Sequence, residues 1–166
     1  MSIHIEKTLV LLKPDTVERG LTGRILMRFE DAGLKIAALK MVKSDKDLAG
    51  EHYDEDVAKR RGEAVRKFNI DFLTSGPVLA MVIEGVNAIE NVRKMCGTTE
   101  PKSAPSGTIR GDFSHVSYGH CDNKKIAVRN IIHASADKEY AEKEIDIWFA
   151  PEEIMDYKSV HERHTR

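Results

Sequence analysis

Cysteines and long apolar runs are scarce in this sequence, and their scarcity excludes several classes of protein. Only two cysteines, Cys96 and Cys121, occur among the 166 residues. Two thiols do not make the disulfide framework typical of small secreted domains, so a reducing, cytoplasmic environment is predicted. The apolar run in the opening MSIHIEKTLVLLKPD is four residues long and has charges on both sides. A run this short is neither a signal peptide nor a membrane span, and no membrane association is expected.

An excess of either charge and the common nucleotide-binding loops are also absent. The formal net charge is −1, which provides no general attraction to nucleic acids or anionic membranes. Neither a GxxxxGK(S/T) nor a GxGxxG motif occurs, and this excludes a P-loop and a dinucleotide-binding fingerprint. No internal repeat or linker divides the chain, so a single domain over residues 1–166 is expected.

Short apolar runs alternate with amphipathic segments along the chain. Strands are predicted at residues 7–13, 34–43, 77–85 and 125–133. Helices are predicted at residues 21–32, 87–96 and 138–149, with one or two exposed helices in the charged segment 45–67. This order favours an α+β fold, namely a ferredoxin-like split βαβ core in which a four-stranded, mainly antiparallel sheet carries helices on one face. A doubly wound parallel sheet is the alternative.

Basic and polar side chains fall at the ends of these elements and in a long irregular segment, residues 97–123. Lys13 closes the first strand, Arg93 lies in the short helix, and Arg110 precedes a glycine in SGTIRGDF. Lysine and arginine suit phosphate because they bring charge and several donors, and glycine lets the backbone approach an anion closely. Loops of this length are usually functional or disordered, which makes this segment a candidate functional region. Further neutral hydrogen bonds are expected from Thr99 and Asn130.

A histidine closes the predicted fourth strand, in the segment RNIIHASAD. A neutral imidazole has a free lone pair on one ring nitrogen, and it is a better nucleophile when another group holds the second nitrogen. Glu144 lies about two turns into the following helix, roughly 10 Å along its axis, and reaches His133 if that helix packs back along its strand. The start of the helix near Ser135 is expected to offer backbone donors to a phosphate.

Each of these residues also has a purely structural interpretation. A histidine is often a partly buried residue that simply finds a hydrogen bond, and a lone lysine or arginine is often a solvated surface charge. His115, His120 and Cys121 lie close in sequence, but their spacing matches no zinc motif, so no protein-bound metal is expected. The residues by themselves indicate a phosphate-handling enzyme with a histidine nucleophile.

Six segments, in order and over nearly the whole chain, resemble the nucleoside diphosphate kinase family. They are KTLVLLKPDTVERGLTGRIL, EHY, SGPVLAMVIEG, SGTIRGDF, RNIIHAS and AEKEIDIWFAPEEIMDY. The RNIIH and GTIRGDF segments together are highly specific. The resemblance implies a ferredoxin-like core and a ping-pong reaction, in which a nucleoside triphosphate phosphorylates the histidine and a different nucleoside diphosphate takes the phosphate away.

The resemblance also implies roles for individual residues. His133 would be phosphorylated, with Ser135 and Glu144 positioning its imidazole, and Lys13 and Tyr53 would contact the transferring phosphate. The other phosphates and the ribose 3′-hydroxyl would be bound by Arg93, Thr99, Arg110 and Asn130. The family uses Mg²⁺ carried mainly by the nucleotide phosphates, a habit that suits this strongly hydrated ion. A cytosolic hexamer or tetramer built from dimers is also implied, with no specific nucleic-acid partner.

Several segments depart from the family pattern. Where the family places a base-stacking aromatic after Tyr53, this chain reads DEDVAKRRGEAVRKF, and the usual HGSDS reads HASAD. An inserted segment at about 114–128 precedes the histidine strand. This segment is expected either to form a hairpin near the nucleotide or to alter the contacts between subunits. The alternative functions are a catalytically weak nucleotide-binding or regulatory relative, a protein-to-protein histidine phosphocarrier and, last, a nucleic-acid binder.

Overall fold

Four β-strands form one antiparallel sheet in the computed structural model, which describes residues 5–165. The strands are β1 (Ile5–Leu12), β2 (Lys35–Val42), β3 (Val78–Val86) and β4 (Ile132–Ala134). They lie in the order β2-β3-β1-β4, and each neighbouring pair is antiparallel. β1 and β2 therefore run in the same direction with β3 between them, as in the predicted split βαβ core. The antiparallel pairing excludes the doubly wound parallel sheet.

Ten α-helices occur in residues 5–165. They are α1 (Pro14–Glu18), α2 (Thr22–Asp31), α3 (Lys46–His52), α4 (Glu55–Arg61), α5 (Glu63–Leu73), α6 (Ala88–Cys96), α7 (Ile109–Phe113), α8 (Tyr118–Lys124), α9 (Lys138–Trp148) and α10 (Glu162–Thr165). Short 3₁₀ turns occupy Pro101–Ser103 and Pro151–Glu153. None of these helices has the length and apolar character needed to cross a bilayer.

Helices cover both faces of the sheet, so the prediction of helices on one face is wrong. Along β1, Leu9 and Leu11 pack in a core with Trp148 of α9, whereas Val10 packs in a second core with Phe29 of α2. Successive side chains of a strand point to opposite faces, and β1 is apolar at consecutive positions. Both of its faces therefore need an apolar cover, as in a strand at the centre of a three-layer fold.

The fourth strand is much shorter than the predicted segment 125–133. His133 lies in the middle of β4, paired with Leu11 of β1. Lys125 and Ile131 have φ angles of 54° and 65°, and this left-handed backbone interrupts the extended run. The apolar composition of the segment predicted burial, which Ala127 and Ile131 show, but not a continuous strand.

Helices replace two of the predicted irregular or ambiguous regions. The charged segment 45–67 contains parts of three helices rather than one or two, because Asp45 and Asp54 cap α3 and α4 and Gly62 separates α4 from α5. The segment 97–123 contains a 3₁₀ turn, α7 and most of α8. Residues 114–128, predicted to be an insertion, thus contain a helix capped by Ser117 rather than a hairpin.

Candidate active site

A cleft of about 990 Å³ gathers most of the residues predicted from the sequence. Eight of the nine line it, namely Lys13, Tyr53, Arg93, Thr99, Arg110, Asn130, His133 and Glu144. The ninth, Ser135, is fully buried outside the lining and reaches the cleft through a hydrogen bond to Glu144. Residues far apart in the chain therefore converge on one concave surface rich in positive charge.

Glu144 holds one nitrogen of the His133 imidazole. The Nε2 atom of His133 lies 3.0 Å from Oε2 of Glu144, and the Ser135 hydroxyl donates to the same oxygen at 2.5 Å. Burial opposes ionisation of Glu144, but the adjacent His133 and the hydrogen bonds from His133 and Ser135 lower the pKa of this carboxyl to about 2. An ionised carboxylate only accepts hydrogen bonds, so Nε2 carries the proton and Nδ1 keeps a lone pair.

The position of Glu144 follows from the packing of α9 against β1. The helix begins at Lys138, and the Asp137 side chain caps it by accepting a hydrogen bond from the Tyr140 N–H. The helix begins where the sequence predicted it, at residue 138, and the Asp137 cap occupies one of the backbone donors that this helix start was expected to offer a phosphate.

His52 is not among the residues predicted from the sequence, yet it lies directly against the nucleophile candidate. The His52 and His133 ring centroids are 4.4 Å apart, and the rings are nearly perpendicular at 84°. Nε1 of Trp148 donates a hydrogen bond to Nδ1 of His52 at 3.3 Å. Burial and the neighbouring His133 lower the pKa of His52 to about 3. The one available signal was its position beside Tyr53 in the EHY segment.

Lys13 is the most deeply buried cation of the cleft. Its ammonium donates to Oδ1 of Asn130 at 2.8 Å, and the Asn130 amide donates in turn to the Thr99 carbonyl at 2.8 Å. Burial lowers the pKa of Lys13 to about 8, and the nearby Arg110 guanidinium adds to this effect while Asp15 opposes it. The side chain is therefore mostly charged at neutral pH and loses that charge under mildly alkaline conditions.

Arg110 connects the loop after α6 to the histidine strand. Its two terminal nitrogens donate to the carbonyls of Gly97, at 2.7 Å, and Ile132, at 2.6 Å. Its buried Nε has no hydrogen-bond partner within residues 5–165. The neighbouring Gly111 packs closely against the backbone carbonyl of Pro105, with which a Cβ at this position would collide. Arg93, by contrast, is exposed and makes one long contact, 3.4 Å, to the Ser135 carbonyl.

The backbone is strained two residues before His133. Ile131 is β-branched and fully buried, yet its φ of 65° lies in the left-handed region. Such a conformation costs about 1–3 kcal/mol and persists only where surrounding contacts hold it. Its N–H donates to Asp15 at 3.2 Å, and its carbonyl accepts from the Lys13 N–H at 2.8 Å and from the Thr16 hydroxyl at 2.6 Å. The turn after β1 thus sets the direction of β4.

Comparison with known proteins assigns the chain to a family. The sequence model of nucleoside diphosphate kinase matches residues 6–154. The chain belongs to the nucleoside diphosphate kinase family. This confirms the family predicted from the six segments, and the sheet order confirms the predicted α+β, ferredoxin-like fold.

Individual relatives are similar along almost their whole length. The nucleoside diphosphate kinase of Borreliella burgdorferi is 49% identical over 155 residues, which are 93% of each chain. That of Pyrococcus furiosus is 50% identical over 154 residues, covering 93% of this chain and 89% of the relative. A solved transition-state mimic of nucleoside-diphosphate kinase from Borrelia burgdorferi, with bound vanadate and ADP, superposes with a TM-score of 0.97 at 47% identity. It covers 99% of this chain and 98% of the other.

Residues in and next to the segments predicted to depart from the family pattern also line the cleft. Phe68 and Asn69 of α5 line it, as do Tyr118 and Asp122 of α8. Phe68 lies within the segment in which no aromatic matched the base-stacking position, and Tyr118 comes from the inserted segment. Neither aromatic was assigned a role from the sequence, because a family motif assigns only the positions that align with it.

Proposed function

We propose that this chain transfers the γ-phosphate of a nucleoside triphosphate to a nucleoside diphosphate through a phosphohistidine at His133. Family membership makes the chain a phosphotransferase of the nucleoside diphosphate kinase type. The observation that carries the histidine assignment is the pairing of Nε2 of His133 with the ionised Glu144. This pairing leaves Nδ1 as the nucleophile in a cleft that also contains Lys13, Arg93 and Arg110.

The reaction consists of two balanced phosphoryl transfers. In the first, Nδ1 of His133 forms a bond to the γ-phosphorus while the bond from that phosphorus to the β-phosphate oxygen breaks, and the nucleoside diphosphate leaves. Glu144 keeps the Nε2 proton in place and stabilises the positive charge that develops on the ring. In the second transfer, a terminal oxygen of another nucleoside diphosphate attacks the phosphorus and the P–N bond breaks. Such chemistry depends mainly on positioning and on charge stabilisation, which Lys13, Arg93 and Arg110 supply.

Mg²⁺ is proposed to be bound by the phosphates of the nucleotide rather than by the protein. The carboxylates that line the cleft are Asp54, Glu100, Asp122 and Glu144. Hydrogen bonds from protein groups are already accepted by Asp54, Glu100 and Glu144. The cluster of His52, His133 and Glu144 offers two nitrogens and one oxygen, a set that suits zinc better than magnesium. The residues therefore fit an ion bound by the phosphates, which it would partly neutralise when bound.

Labelling the wild-type protein tests the proposal directly. The protein is mixed with Mg²⁺ and γ-labelled ATP and analysed by intact mass spectrometry and for acid-labile label. One phosphate per chain, discharged to GTP when GDP is added, is the expected result. A protein that binds nucleotide but never becomes labelled is the catalytically weak relative. Labelling by a partner kinase without nucleotide in the cleft would instead favour a phosphocarrier.

The affinity for ADP is expected to fall as the pH rises through about 8. Burial lowers the pKa of Lys13 to about 8, so its ammonium is charged below that pH and neutral above it. Only the charged form attracts the phosphates. Titration calorimetry across this pH range measures the effect, with Lys13→Arg as the control because arginine stays charged. The same decline in both proteins would rule out Lys13 as its source.

The open edge of β2 supports self-association, and we propose dimers formed there as the unit of a larger oligomer. β2 is an edge strand, and its side chains Leu39 and Met41 are 47% and 61% exposed. The carbonyls of Ile36 and Ala37 are covered by hydrogen bonds from the C-terminal segment, so the uncovered part lies beyond them. Exposed edges and apolar patches favour pairing between chains.

Replacing Leu39 and Met41 together by lysine is expected to reduce the oligomer to smaller species, because charged side chains on an edge strand oppose pairing. Light scattering during size-exclusion chromatography measures the molar mass. Val160→Lys is the control, since Val160 is also apolar and 79% exposed but lies outside β2. An unchanged mass for the double variant would exclude this edge as the interface.

The state of the cysteines supports a cytoplasmic location. Cys96 and Cys121 are both free and each is only 1% exposed. Burial raises the pKa of Cys96 to about 11, so its thiol is unreactive at neutral pH. Free thiols are the usual form in a reducing compartment.

A further inference from the structure

We propose that His52 is a further catalytic residue, whose Nε2–H donates a hydrogen bond to the phosphoryl group during its transfer to and from His133. This inference rests on the proposed phosphohistidine. It concerns a side chain that neither the family resemblance nor the residue pattern assigned to the site.

The tautomer of His52 follows from its contact with Trp148. An indole N–H can only donate a hydrogen bond, so Nδ1 of His52, 3.3 Å away, must accept and carries no proton. A neutral imidazole has one proton, which must then lie on Nε2. The ring is neutral because burial and the adjacent His133 lower its pKa to about 3. Trp148 therefore selects a donor at Nε2.

This donor is left without a partner. His52 is 6% exposed, and its Nε2 makes no hydrogen bond within residues 5–165. Buried polar groups in native proteins are almost always paired, so an unpaired one needs a specific explanation. His52 also lines the cleft, but its Nε2 is itself covered, so the acceptor must be brought against the ring, as a group attached to the adjacent His133 would be.

The transferring phosphoryl group is the acceptor that the geometry favours. Ligand-capable atoms of His52, His133 and Glu144 all lie within 4.8 Å of one another, and the two imidazoles are in edge contact. A phosphoryl group on His133 brings three acceptor oxygens into this neighbourhood. Because the His52 ring is neutral, its Nε2–H remains a donor throughout the reaction and passes no proton to the phosphate. The hydrogen bond forms only once the phosphoryl group arrives, so it stabilises the transition state and the phosphohistidine rather than the free enzyme.

A zinc-type ion held by His52, His133 and Glu144 is a different use of the same side chains. Metal ligation through Nε2 needs a lone pair on that atom, and the proton would then move to Nδ1, facing the Trp148 donor. The hydrogen bond from Trp148 therefore favours the donor role over the ligand role, and the tautomer of His52 distinguishes the two.

Nitrogen-15 NMR of the whole protein tests the tautomer and the contact. The free protein is expected to show the Nε2–H form of His52. With Mg²⁺, ADP and vanadate as a phosphoryl mimic, the Hε2 resonance of His52 is expected to move downfield and exchange more slowly, whereas ADP alone leaves it in place. An Nδ1–H tautomer, or a resonance that vanadate does not affect, would overturn the proposal.

Two substitutions separate donation from ring packing. His52→Phe keeps an aromatic ring against His133 but has no donor, and it is expected to lower kcat by about 10- to 100-fold, the range for one hydrogen bond to a charged group. The KM for ADP is expected to stay unchanged. His52→Gln retains an amide N–H and is expected to recover part of the rate. A phenylalanine variant as fast as the wild type would show that His52 only packs against His133.

The outcomes also separate this inference from the proposed function. If the wild-type protein is labelled and His52→Phe matches it, the role of His52 is refuted while the kinase assignment stands. If the wild type is never labelled, the kinase assignment fails, and the vanadate spectrum still decides whether His52 donates to a phosphoryl group. A phenylalanine variant that does not fold, judged by thermal unfolding, leaves the decision to the NMR measurement.

Discussion

Replacing His133 by alanine is expected to abolish phosphohistidine formation and to lower kcat by on the order of 10⁴-fold or more, the scale seen when a covalent nucleophile is removed. The variant loses Nδ1 of His133, the only atom of the protein that forms a bond to phosphorus in the proposed mechanism. Affinity for ADP is expected to remain, because the cations of the cleft do not depend on the imidazole. Intact-mass labelling and a coupled assay measure the two effects.

A second histidine provides the matched control. His120 lies on α8, is exposed and does not line the cleft, so His120→Ala is expected to label and turn over like the wild type. Glu144 becomes unpaired in His133→Ala apart from its bond to Ser135, so a modest loss of stability is also expected. Acid-labile label on the His133→Ala protein would place the nucleophile elsewhere and end the present assignment.

Replacing Arg110 by methionine is expected to weaken the fold as well as the cleft. The Arg110 guanidinium donates hydrogen bonds to the carbonyls of Gly97 and Ile132, and the variant loses both of these bonds. At about 1 kcal/mol for each lost hydrogen bond, the free energy of unfolding should fall by about 2 kcal/mol. ADP affinity should fall by about 10- to 100-fold, because one charge-assisted phosphate contact is also lost. Urea unfolding and calorimetry measure these quantities.

Arg93→Met is the matched control for the structural part of this effect. Arg93 lines the same cleft but is exposed, and its one contact to the Ser135 carbonyl is 3.4 Å long. Its free energy of unfolding should change by no more than about 0.5 kcal/mol, while ADP affinity still falls. Equal losses of stability in the two variants would contradict the structural role of Arg110.

Local patterns in the sequence were sufficient for most of the secondary structure. Continuous apolar runs predicted β1, β2 and β3, and the spacing of apolar residues predicted α2, α6 and α9 to within a few residues. Glycine commonly follows a helix in a left-handed conformation, and Gly33 has a φ of 77° two residues after α2. These features depend on residues that are close in sequence, and the regular spacing of apolar residues makes them recognisable.

The same patterns failed where distant contacts override local preference. Residues 125–131 have a strand-like composition, yet Ile131 is held in a left-handed conformation by the turn that contains Lys13, Asp15 and Thr16. Helices in the charged segment 45–67 and in residues 114–128 begin at the capping residues Asp45, Asp54 and Ser117. Aspartate and serine also occur in turns, so these residues did not by themselves predict where a helix starts. His52 was missed because its environment is created by residues from other elements.

The sequence by itself determined the family, the order of the elements and eight side chains that now line one cleft. Only the tertiary structure decided that both sheet faces are covered, that α8 lines the cleft, and that the Trp148 indole donates to Nδ1 of His52. The reason is the range of the interactions involved. The Trp148–His52 hydrogen bond joins residues 96 apart, and that between Ile131 and Asp15 joins residues 116 apart. Contacts of that range leave no periodic trace in one sequence and exist only once the chain has folded.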